Sequence, residues 1–301
     1  MKLAITGGTG FVGSHLIDAA LAAGHEVTAL TRRDQSARPL LTWVSGDLDD
    51  RAALDRLVAG AEAVIHVAGV INAPDAAGFE QGNVAGTRAM LGAATAAGVR
   101  RFVHVSSLAA REPGLSQYGA SKARAEALVQ GSGLDWSIAR PPAVYGPGDK
   151  ETLELFKMAR LGLMLMPPAG RVSVIHAGDL ARLLLAFADA SAPTGTIVEP
   201  DDGRAGGWTH GEFLRAIGRA VGKSPRVVPI PGPLLRLAAR ADRLVRRANA
   251  RLTPDRVGYF LHRDWVVDPD SAPPPGLWRP EIETHQGLAA TAEWYRRQGW
   301  L

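Results

Sequence analysis

Tyr118 and Lys122 are the pair of residues best suited to chemistry in this 301-residue chain. They stand in the segment Tyr-Gly-Ala-Ser-Lys, and a helix would place both side chains on one face about one turn apart. A nearby ammonium favours the phenolate, so we expect Lys122 to lower the pKa of Tyr118. Such a phenol is a suitable general acid or base for a carbonyl or an alcohol. The same spacing also occurs on ordinary solvated helices, so the surrounding sequence must decide.

A glycine-rich segment lies between a predicted strand and a predicted helix near the start of the chain. Thr6–Gly13 fits both Gly-x-x-Gly-x-x-Gly and Gly-x-Gly-x-x-Gly. Its glycines allow a pyrophosphate to approach the helix N-terminus, where backbone N–H groups and the helix dipole favour anions. We therefore predict a dinucleotide site rather than a turn without a ligand. The residues predicted to contact the cofactor are Gly7, Thr9, Gly10, Phe11, Val12 and Gly13.

The residues after the second and third predicted strands bear on which dinucleotide binds. Arg32 and Arg33 follow the second strand, where NAD-binding proteins usually have an acidic residue. A guanidinium suits a 2′-phosphate, which favours NADP over NAD, although a solvated loop with Asp34 serving the ribose is the alternative. Asp47 follows the third strand, where it would accept a hydrogen bond from the adenine amino group or cap the next helix.

Composition excludes several classes of protein. Hydrophobic residues make up 46% and charged residues 21% of the chain, the net charge is +4, and there is no cysteine. No apolar run approaches the ~20 residues of a membrane span, and the apolar start is too short for a signal peptide. We expect a cytoplasmic protein without disulfides or thiolate chemistry. The surplus of basic residues lies in one segment, and the rest of the chain is roughly balanced in charge. We therefore do not predict nucleic-acid binding.

Strand and helix patterns alternate over the first half of the chain. This alternation predicts an α/β fold, a doubly wound parallel sheet (Rossmann) with a smaller, mostly helical C-terminal substrate lobe. We assign 1–150 and 172–198 to the dinucleotide-binding domain, and 151–171 and 199–301 to the lobe. Val172–Ile175 and Asp179–Ala188 are predicted to add a last strand and helix to the sheet. Candidate site residues follow several strands, and ligands bind at that edge of such sheets.

Several motifs occur in a fixed order along the whole chain, and together they resemble one known family. They include Gly46-Asp47-Leu48, His66-Val67-Ala68-Gly69, Asn83 with Gly86-Thr87, Ser106-Ser107, the Tyr118–Lys122 segment and Arg140-Pro-Pro-Ala-Val-Tyr-Gly-Pro. The chain resembles extended short-chain dehydrogenase/reductases of the NAD(P)-dependent epimerase/dehydratase family. The resemblance implies a catalytic triad of Ser107, Tyr118 and Lys122, with Lys122 also binding the nicotinamide ribose. It also implies further cofactor contacts from Leu48, Val67, Ala68, Gly69, Asn83, Pro141 and Val144.

Two departures from the sugar-modifying branches of that family narrow the expected activity. Nucleotide-sugar epimerases typically have Asn where this chain has Ala143, and sugar dehydratases have Thr-Asp-Glu where it has Ser107-Leu-Ala. The pattern is more similar to the 3β-hydroxysteroid dehydrogenase and dihydroflavonol reductase-like subgroup. That similarity implies hydride transfer between NAD(P) and a hydroxy or keto group of a small or apolar substrate. A nucleotide-sugar epimerase and a non-catalytic NAD(P)-binding assembly subunit remain the alternatives.

The second half of the chain contains two further features. Leu161–Pro168 is apolar and suits either a substrate pocket or core packing. Arg236, Arg240, Arg243, Arg247 and Arg251 recur at helical spacing. An opposing apolar stripe is predicted from Leu235, Ala238, Ala241, Val245, Ala248 and Leu252. Such a helix either contacts an anionic membrane or covers the site as a lid with a solvated face, and we favour the lid. We predict no metal, because the histidines lack ligand spacing, and we include a homodimer among the expectations.

Overall fold

Short apolar segments form one parallel sheet in the computed structural model, which describes residues 1–246 and 252–301. The chain divides into two units. The first contains Met1–Pro141, Gly178–Glu199 and Ser271–Arg279. The second contains Pro142–Ala177, Pro200–Asp270 and Pro280–Leu301. The prediction that 1–150 and 172–198 form the functional cofactor domain stays a prediction.

The sheet of the first unit has seven strands in the order β3-β2-β1-β4-β5-β6-β11, and every neighbouring pair is parallel. β2 and β3 are added on one side of β1, and β4 and the later strands on the other, so the order of the strands reverses between β1 and β4. A doubly wound sheet binds its ligand at this position. The predicted fold class is confirmed. The strands are β1 (Lys2–Thr6), β2 (Glu26–Thr31), β3 (Leu41–Ser45), β4 (Ala63–His66), β5 (Arg101–Val105), β6 (Asp135–Ala139) and β11 (Thr196–Val198).

Helices of the first unit connect these strands. Asp50 caps α2 by accepting a hydrogen bond from Ala53 N, and Ser116 caps α5 by accepting one from Gly119 N. A π-helical turn, Glu80–Ala85, precedes α4 and contains Asn83. The helices are α1 (Phe11–Ala22), α2 (Arg51–Val58), α3 (Ala76–Phe79), α4 (Gly86–Ala96), α5 (Gln117–Gln130) and α7 (Ala177–Ala188).

The central strands of this sheet are covered on both faces. All residues of β4 and β5 are buried, which agrees with the almost continuous apolar sequence of β4. Phe102 on β5 is fully buried and packs in a cluster with Leu54, Leu57 and Met90. A rigid sheet therefore carries the loops at its carboxyl edge.

The second unit combines short strands with helices. Its strands are β7 (Ala143–Tyr145), β8 (Leu163–Met166), β9 (Arg171–Val172), β10 (Val174–His176), β12 (Trp208–Thr209), β13 (Arg226–Pro229) and β14 (Asp264–Trp265). Its helices are α6 (Leu153–Arg160), α8 (His210–Ala220), α9 (Gly232–Arg246), α10 (Pro254–Leu261) and α11 (Thr284–Arg297). Buried aromatic side chains, among them Tyr145, Phe156 and Tyr295, form the centre of its core.

The predicted last strand of the main sheet is wrong. The segment predicted as Val172–Ile175 is interrupted at Ser173 and forms β9 and β10, and β10 pairs with β7 in a separate two-stranded sheet. The interruption has a physical cause, because Ser173 N donates to Trp265 O and its hydroxyl donates to Asp201. The seventh strand is instead β11, which follows α7 and pairs with β6.

The apolar segment Leu161–Pro168 divides between core and surface. Met164 is fully buried, whereas Leu161, Leu163 and Leu165 are exposed. The alternation follows from β8, where successive side chains point to opposite faces. Within the described residues, none of the helices combines the length and hydrophobicity needed to cross a bilayer.

Candidate active site

The glycine-rich turn after β1 leaves no room for side chains. Gly7 has a positive φ of 73°, and a Cβ built on it would lie 2.7 Å from Ala68 N. A Cβ on Gly13 would lie only 2.0 Å from Gly7 O. Both positions therefore require glycine, one for its conformation and its contact with the β4 loop, the other for close helix packing. This cradle is the feature that a pyrophosphate needs.

The N-terminus of α1 suits an anion. Gly10 is its N-cap, it supplies no side-chain cap, and no acidic residue occupies the first turn. The positive end of the helix dipole and the backbone N–H groups at Phe11 and Val12 can therefore bind an anionic ligand, because no carboxylate competes for them. The residues present fit the phosphates of a dinucleotide.

A buried hydrogen-bond network fixes the adjacent ends of β1 and β4. Thr87 donates its hydroxyl proton to Asn83 O, so His66 Nε2 must be the donor in its 3.2 Å contact with Thr87. His66 Nδ1 then accepts from Thr6 Oγ1 at 2.7 Å, and Thr6 accepts from Ala68 N. Burial, with a smaller effect from Lys122, lowers the pKa of His66 to about 3. His66 is thus a neutral structural link beneath the loop that carries Ala68.

Asn83 links the loop after β4 to the helix that carries Tyr118. Its side-chain amide exchanges two hydrogen bonds with Val70 and donates a third to Ser121 Oγ at 2.9 Å. Ser121 donates in turn to Tyr118 O. A Cβ built on Gly69 would lie 2.9 Å from Asn83 Oδ1 and 3.1 Å from Lys122 Nζ. Gly69, Asn83 and Lys122 therefore meet at one point.

Ser107 and Tyr118 are brought together by close packing of α5 on the 3₁₀ turn Leu108–Arg111. A Cβ on Gly119 would lie 2.6 Å from Ala109 O, so only glycine permits this approach. Ser107 accepts a hydrogen bond from Ala109 N and is hydrogen-bonded to the Tyr118 side chain. Lys122 is buried and donates to Val105 O at 3.0 Å. The three side chains predicted as the triad therefore share one site.

The pKa of Tyr118 differs from our expectation. Burial raises it, and the hydrogen bond to Ser107 lowers it to a smaller extent. The expectation that Lys122 would lower it is wrong for this structure, because desolvation of the phenolate dominates. The pKa of Lys122 is itself lowered to about 8 by burial, against an opposing effect of Glu126. At neutral pH the site thus holds a protonated phenol and a mostly charged lysine.

A network of charges in which both carboxylates are buried lies directly behind the triad. Arg140 donates to both carboxylate oxygens of Glu126, at 2.9 and 2.7 Å, and lies 3.6 Å from Glu199. Glu199 also accepts from Arg111 at 3.0 Å. Ser106 donates to the Glu126 carboxylate. The network connects α5, the 3₁₀ turn after Ser107 and the ends of β5, β6 and β11.

A cleft of about 250 Å³ lies beside the glycine-rich turn, near the end of β2. Arg32 and Arg33 are exposed and do not line it. Arg38 does line it and pairs with the exposed Asp18 at 2.8 Å. The lining residues are Gly8, Thr9, Ser14, Ile17, Gln35, Ser36, Arg38 and Trp43.

Other predicted cofactor residues take different places. Asp47 accepts from Asp49 N and does not cap α2, since Asp50 does so. Leu48 packs on Gly86, where a Cβ would lie 2.6 Å from Leu48 Cδ1. Pro141 O accepts from Leu108 N at 3.0 Å, beside Ser107. Val67 donates its N–H to Thr6 O, and Val144 lies on β7 in the second unit.

Sequence reasoning missed Glu126, Arg111, Glu199 and Arg38. Glu126 had a detectable signal, because it lies one helical turn after Lys122 and thus on the same face of α5. Arg111 and Glu199 are distant in sequence, so no local pattern joins them. Among the described residues, no three His, Asp or Glu side chains are grouped so as to hold a metal ion.

Comparisons with known proteins agree with this architecture. Residues 3–199 match the model of the NAD dependent epimerase/dehydratase family. The chain is 41% identical to a ceramide reductase of Caulobacter vibrioides, over 99% of this chain and 96% of the relative. It is 28% identical to a 4-hydroxy-2-methyl-3-oxo-4-farnesyl-3,4-dihydroquinoline-1-oxide ketoreductase of Stigmatella aurantiaca, over 96% and 95% of the two chains.

A solved structure supports the same assignment. A double mutant of the dTDP-glucose 4,6-dehydratase DesIV from Streptomyces venezuelae, with NAD bound, superposes with a TM-score of 0.73 at 25% identity. The match covers 100% of this chain and 98% of that one. The family match, the glycine cradle and the doubly wound sheet lead to one conclusion. The chain belongs to the NAD-dependent epimerase/dehydratase family, as an enzyme with reductase relatives.

Proposed function

We propose that this protein is an NADPH-preferring reductase that converts the keto group of a ceramide-class lipid into a hydroxyl group. The observation that carries the proposal is the hydrogen-bonded Ser107–Tyr118 pair beside buried Lys122. The substrate class is supported by the 41% identical ceramide reductase, which this chain matches along almost its whole length. The second relative is named for a substrate that also bears an apolar farnesyl group.

The residues divide the reaction between them. Bound NADPH would supply a hydride to the carbonyl carbon and leave as NADP⁺. Tyr118 gives its hydroxyl proton to the carbonyl oxygen, and solvent later restores that proton. The Ser107 hydroxyl donates a hydrogen bond to the same oxygen as negative charge develops there. Lys122 stabilises the resulting phenolate and binds the nicotinamide ribose.

At neutral pH the Tyr118 phenol holds the proton that reduction of a ketone requires. Because burial raises the pKa of Tyr118, the phenol is protonated and ready to act as an acid. Lys122 sits close enough to Gly69 and Asn83 to hold a ribose at the end of β4. A site with a protonated Tyr118 is thus ready to reduce a ketone.

The two alternative functions have less support. A nucleotide-sugar epimerase would lack the usual asparagine, because Ala143 has no hydrogen-bonding side chain. A non-catalytic NAD(P)-binding subunit has no need of a buried lysine beside a serine–tyrosine pair, since burying a cation is costly. We keep a cytoplasmic location and a homodimer as predictions.

The proposed NADPH preference rests on the guanidinium groups that follow β2. Arg32 and Arg33 are exposed after β2, and neither forms an ion pair with any described residue. Arg38 lies in the cleft wall beside Gln35 and Ser36. A 2′-phosphate at this position would gain charge-assisted hydrogen bonds that an NADH ribose would not.

Tyr118→Phe tests the catalytic proposal. With purified protein, NADPH and a ceramide analogue whose hydroxyl is oxidised to a ketone, the wild type should consume NADPH and form the alcohol. The variant should lose about 10²–10⁴-fold in kcat while still binding NADPH, because the proton donor alone is removed. Turnover is followed by absorbance and by mass spectrometry of the lipid. Equal rates for wild type and variant would exclude Tyr118 as the acid, and turnover of UDP-sugars instead would exclude the substrate class.

Arg32→Ala/Arg33→Ala tests the cofactor preference. We expect the KM for NADPH to rise about ten-fold or more, with little change for NADH, because a charge-assisted contact with the 2′-phosphate is worth ~1.5–3 kcal/mol. Steady-state kinetics with both cofactors measure the effect. Arg38→Ala is the companion variant. If the KM for NADPH rises only in Arg38→Ala, the 2′-phosphate is bound by the cleft wall and not by the predicted pair. If neither variant alters the NADPH/NADH ratio, the 2′-phosphate assignment fails.

Glu126→Gln tests the charge network through pH dependence. In the wild type, kcat/KM for NADPH should fall as pH rises through the Lys122 pKa of about 8, because the charged lysine is lost. Glu126 raises that pKa, so its removal should shift the alkaline limb to lower pH. Glu80→Gln, which removes the partner of exposed Arg124 on the same helix, is the control and should leave the profile unchanged. An unshifted limb in Glu126→Gln would show that Lys122 does not depend on this carboxylate.

A further inference from the structure

Helix α9 of the second unit has an apolar surface that the rest of the described chain does not cover. Its contact with α10 is a narrow seam, in which Leu235 and Ala239 pack against Val257. The seam repeats every four residues, as expected for one edge of a helix. Of the apolar stripe that the sequence predicts, Leu235, Ala238, Ala241 and Val245 lie on α9, and Ala248 lies outside the described residues. That prediction is wrong in part, because Leu235 is buried whereas the other three on α9 are exposed.

A second apolar stripe of α9 faces away from that seam. Leu234, Leu237, Leu244 and Val245 are 55%, 61%, 81% and 81% exposed. With Ala238 and Ala241, which are also exposed, they fall within about a third of the helix circumference at 3.6 residues per turn. Isolated exposed leucines are common, but a continuous stripe along one helix indicates a surface that contacts something.

A row of basic residues borders this outer stripe. Arg236 and Arg240 are exposed, lie one turn apart, and form no ion pair with any described residue. Arg246 is exposed at the end of the helix and is paired with Asp242. Arg247 and Arg251 of the predicted basic pattern lie outside the described residues. The order around the helix is therefore buried seam, arginine row and exposed apolar stripe.

Two exposed leucines lie on β8, the strand that pairs with the strand preceding this helix. Leu163 and Leu165 of β8 are 47% and 45% exposed, and β8 pairs with β13. Ile230 N donates to Met166 O immediately before α9 begins. The exposed apolar residues of β8 and α9 thus belong to one connected part of the second unit.

We propose that α9 docks this protein on the surface of an anionic lipid bilayer, in place of the lid role favoured from the sequence. The leucine stripe would enter the boundary between headgroups and acyl chains, and Arg236 and Arg240 would contact the headgroup phosphates. A lipid surface fits this helix because its apolar and cationic residues are adjacent, as acyl chains and headgroup phosphates are at the surface of a bilayer. An antiparallel second copy of the same helix would instead bring two arginine rows together. The proposal deepens the proposed function, on which it rests in part, since a ceramide-class substrate resides in membranes.

Vesicle flotation of the purified full chain tests the proposal without any substrate or turnover. The wild type should float with vesicles of equal parts phosphatidylglycerol and phosphatidylcholine, and about ten-fold less with phosphatidylcholine alone. Added salt should weaken the binding. Leu237→Glu and Arg236→Ala/Arg240→Ala should each reduce flotation about ten-fold, because one removes apolar insertion and the other the headgroup contacts.

Ile71→Glu is the matched control, because Ile71 is a 57% exposed apolar residue of the first unit. It should float as the wild type does. Thermal melting should be unchanged in all variants, since every altered side chain is exposed. Wild-type protein that stays unbound, or binds both kinds of vesicle equally, would overturn the proposal. A dimer in light scattering that Leu237→Glu converts to monomer would assign the stripe to a second copy instead. Flotation without reduction of the lipid ketone would sink the proposed reaction alone.

Discussion

The ion pair between Glu126 and Arg140 is the interaction on which the candidate site depends. The Glu126 side chain is 4% exposed, and both of its oxygens accept from the guanidinium. Breaking such a buried pair by removing one partner typically costs ~3–5 kcal/mol, because the remaining charge is left uncompensated. Glu199 and Arg111 extend the pair across the sheet edge, so four charges and the Ser106 hydroxyl immobilise the segments on both sides of Ser107. The same carboxylate opposes the fall in the pKa of Lys122 caused by burial. One interaction therefore controls both the geometry and the charge of the triad.

Two constraints of a different kind prepare the cofactor side. Close approach of backbone to backbone makes Gly7 and Gly13 obligatory, and it leaves the N-terminus of α1 open to an anion. Neutral hydrogen bonds through Thr6, His66 and Asn83 then join that turn to the loop after β4 and to α5. His66 stacks on His104 at 5.5 Å, and burial lowers the pKa of both rings. Positive charge behind the triad is thus confined to Lys122 and to the paired arginines.

The sequence was sufficient for the features that depend on local pattern. The alternation of strands and helices in the first half of the chain is present as predicted, because caps and apolar runs mark these elements. The convergence of Ser107, Tyr118 and Lys122 followed from ordered motifs. Features that depend on contacts between distant residues could not be predicted. β11 is the last strand of the sheet, whereas Ser173 in the predicted strand is held by Asp201 and Trp265. The raised pKa of Tyr118 follows from burial. The arginine row and the apolar stripe of α9 are exposed because only a narrow seam of the helix is packed.

The Lys122 ammonium connects the charge network to proton transfer, because burial lowers its pKa and Glu126 raises it. Selective ¹³C labelling of the lysines and titration of the Cε signals by NMR would measure its pKa directly, with the Lys122 signal identified by its loss in Lys122→Met. The account predicts that Lys122 titrates at a pKa of about 8, and at a lower value in Glu126→Gln. A Lys122 signal that titrates near ~10.4, the value of a solvated lysine, and that does not respond to Glu126→Gln would contradict it.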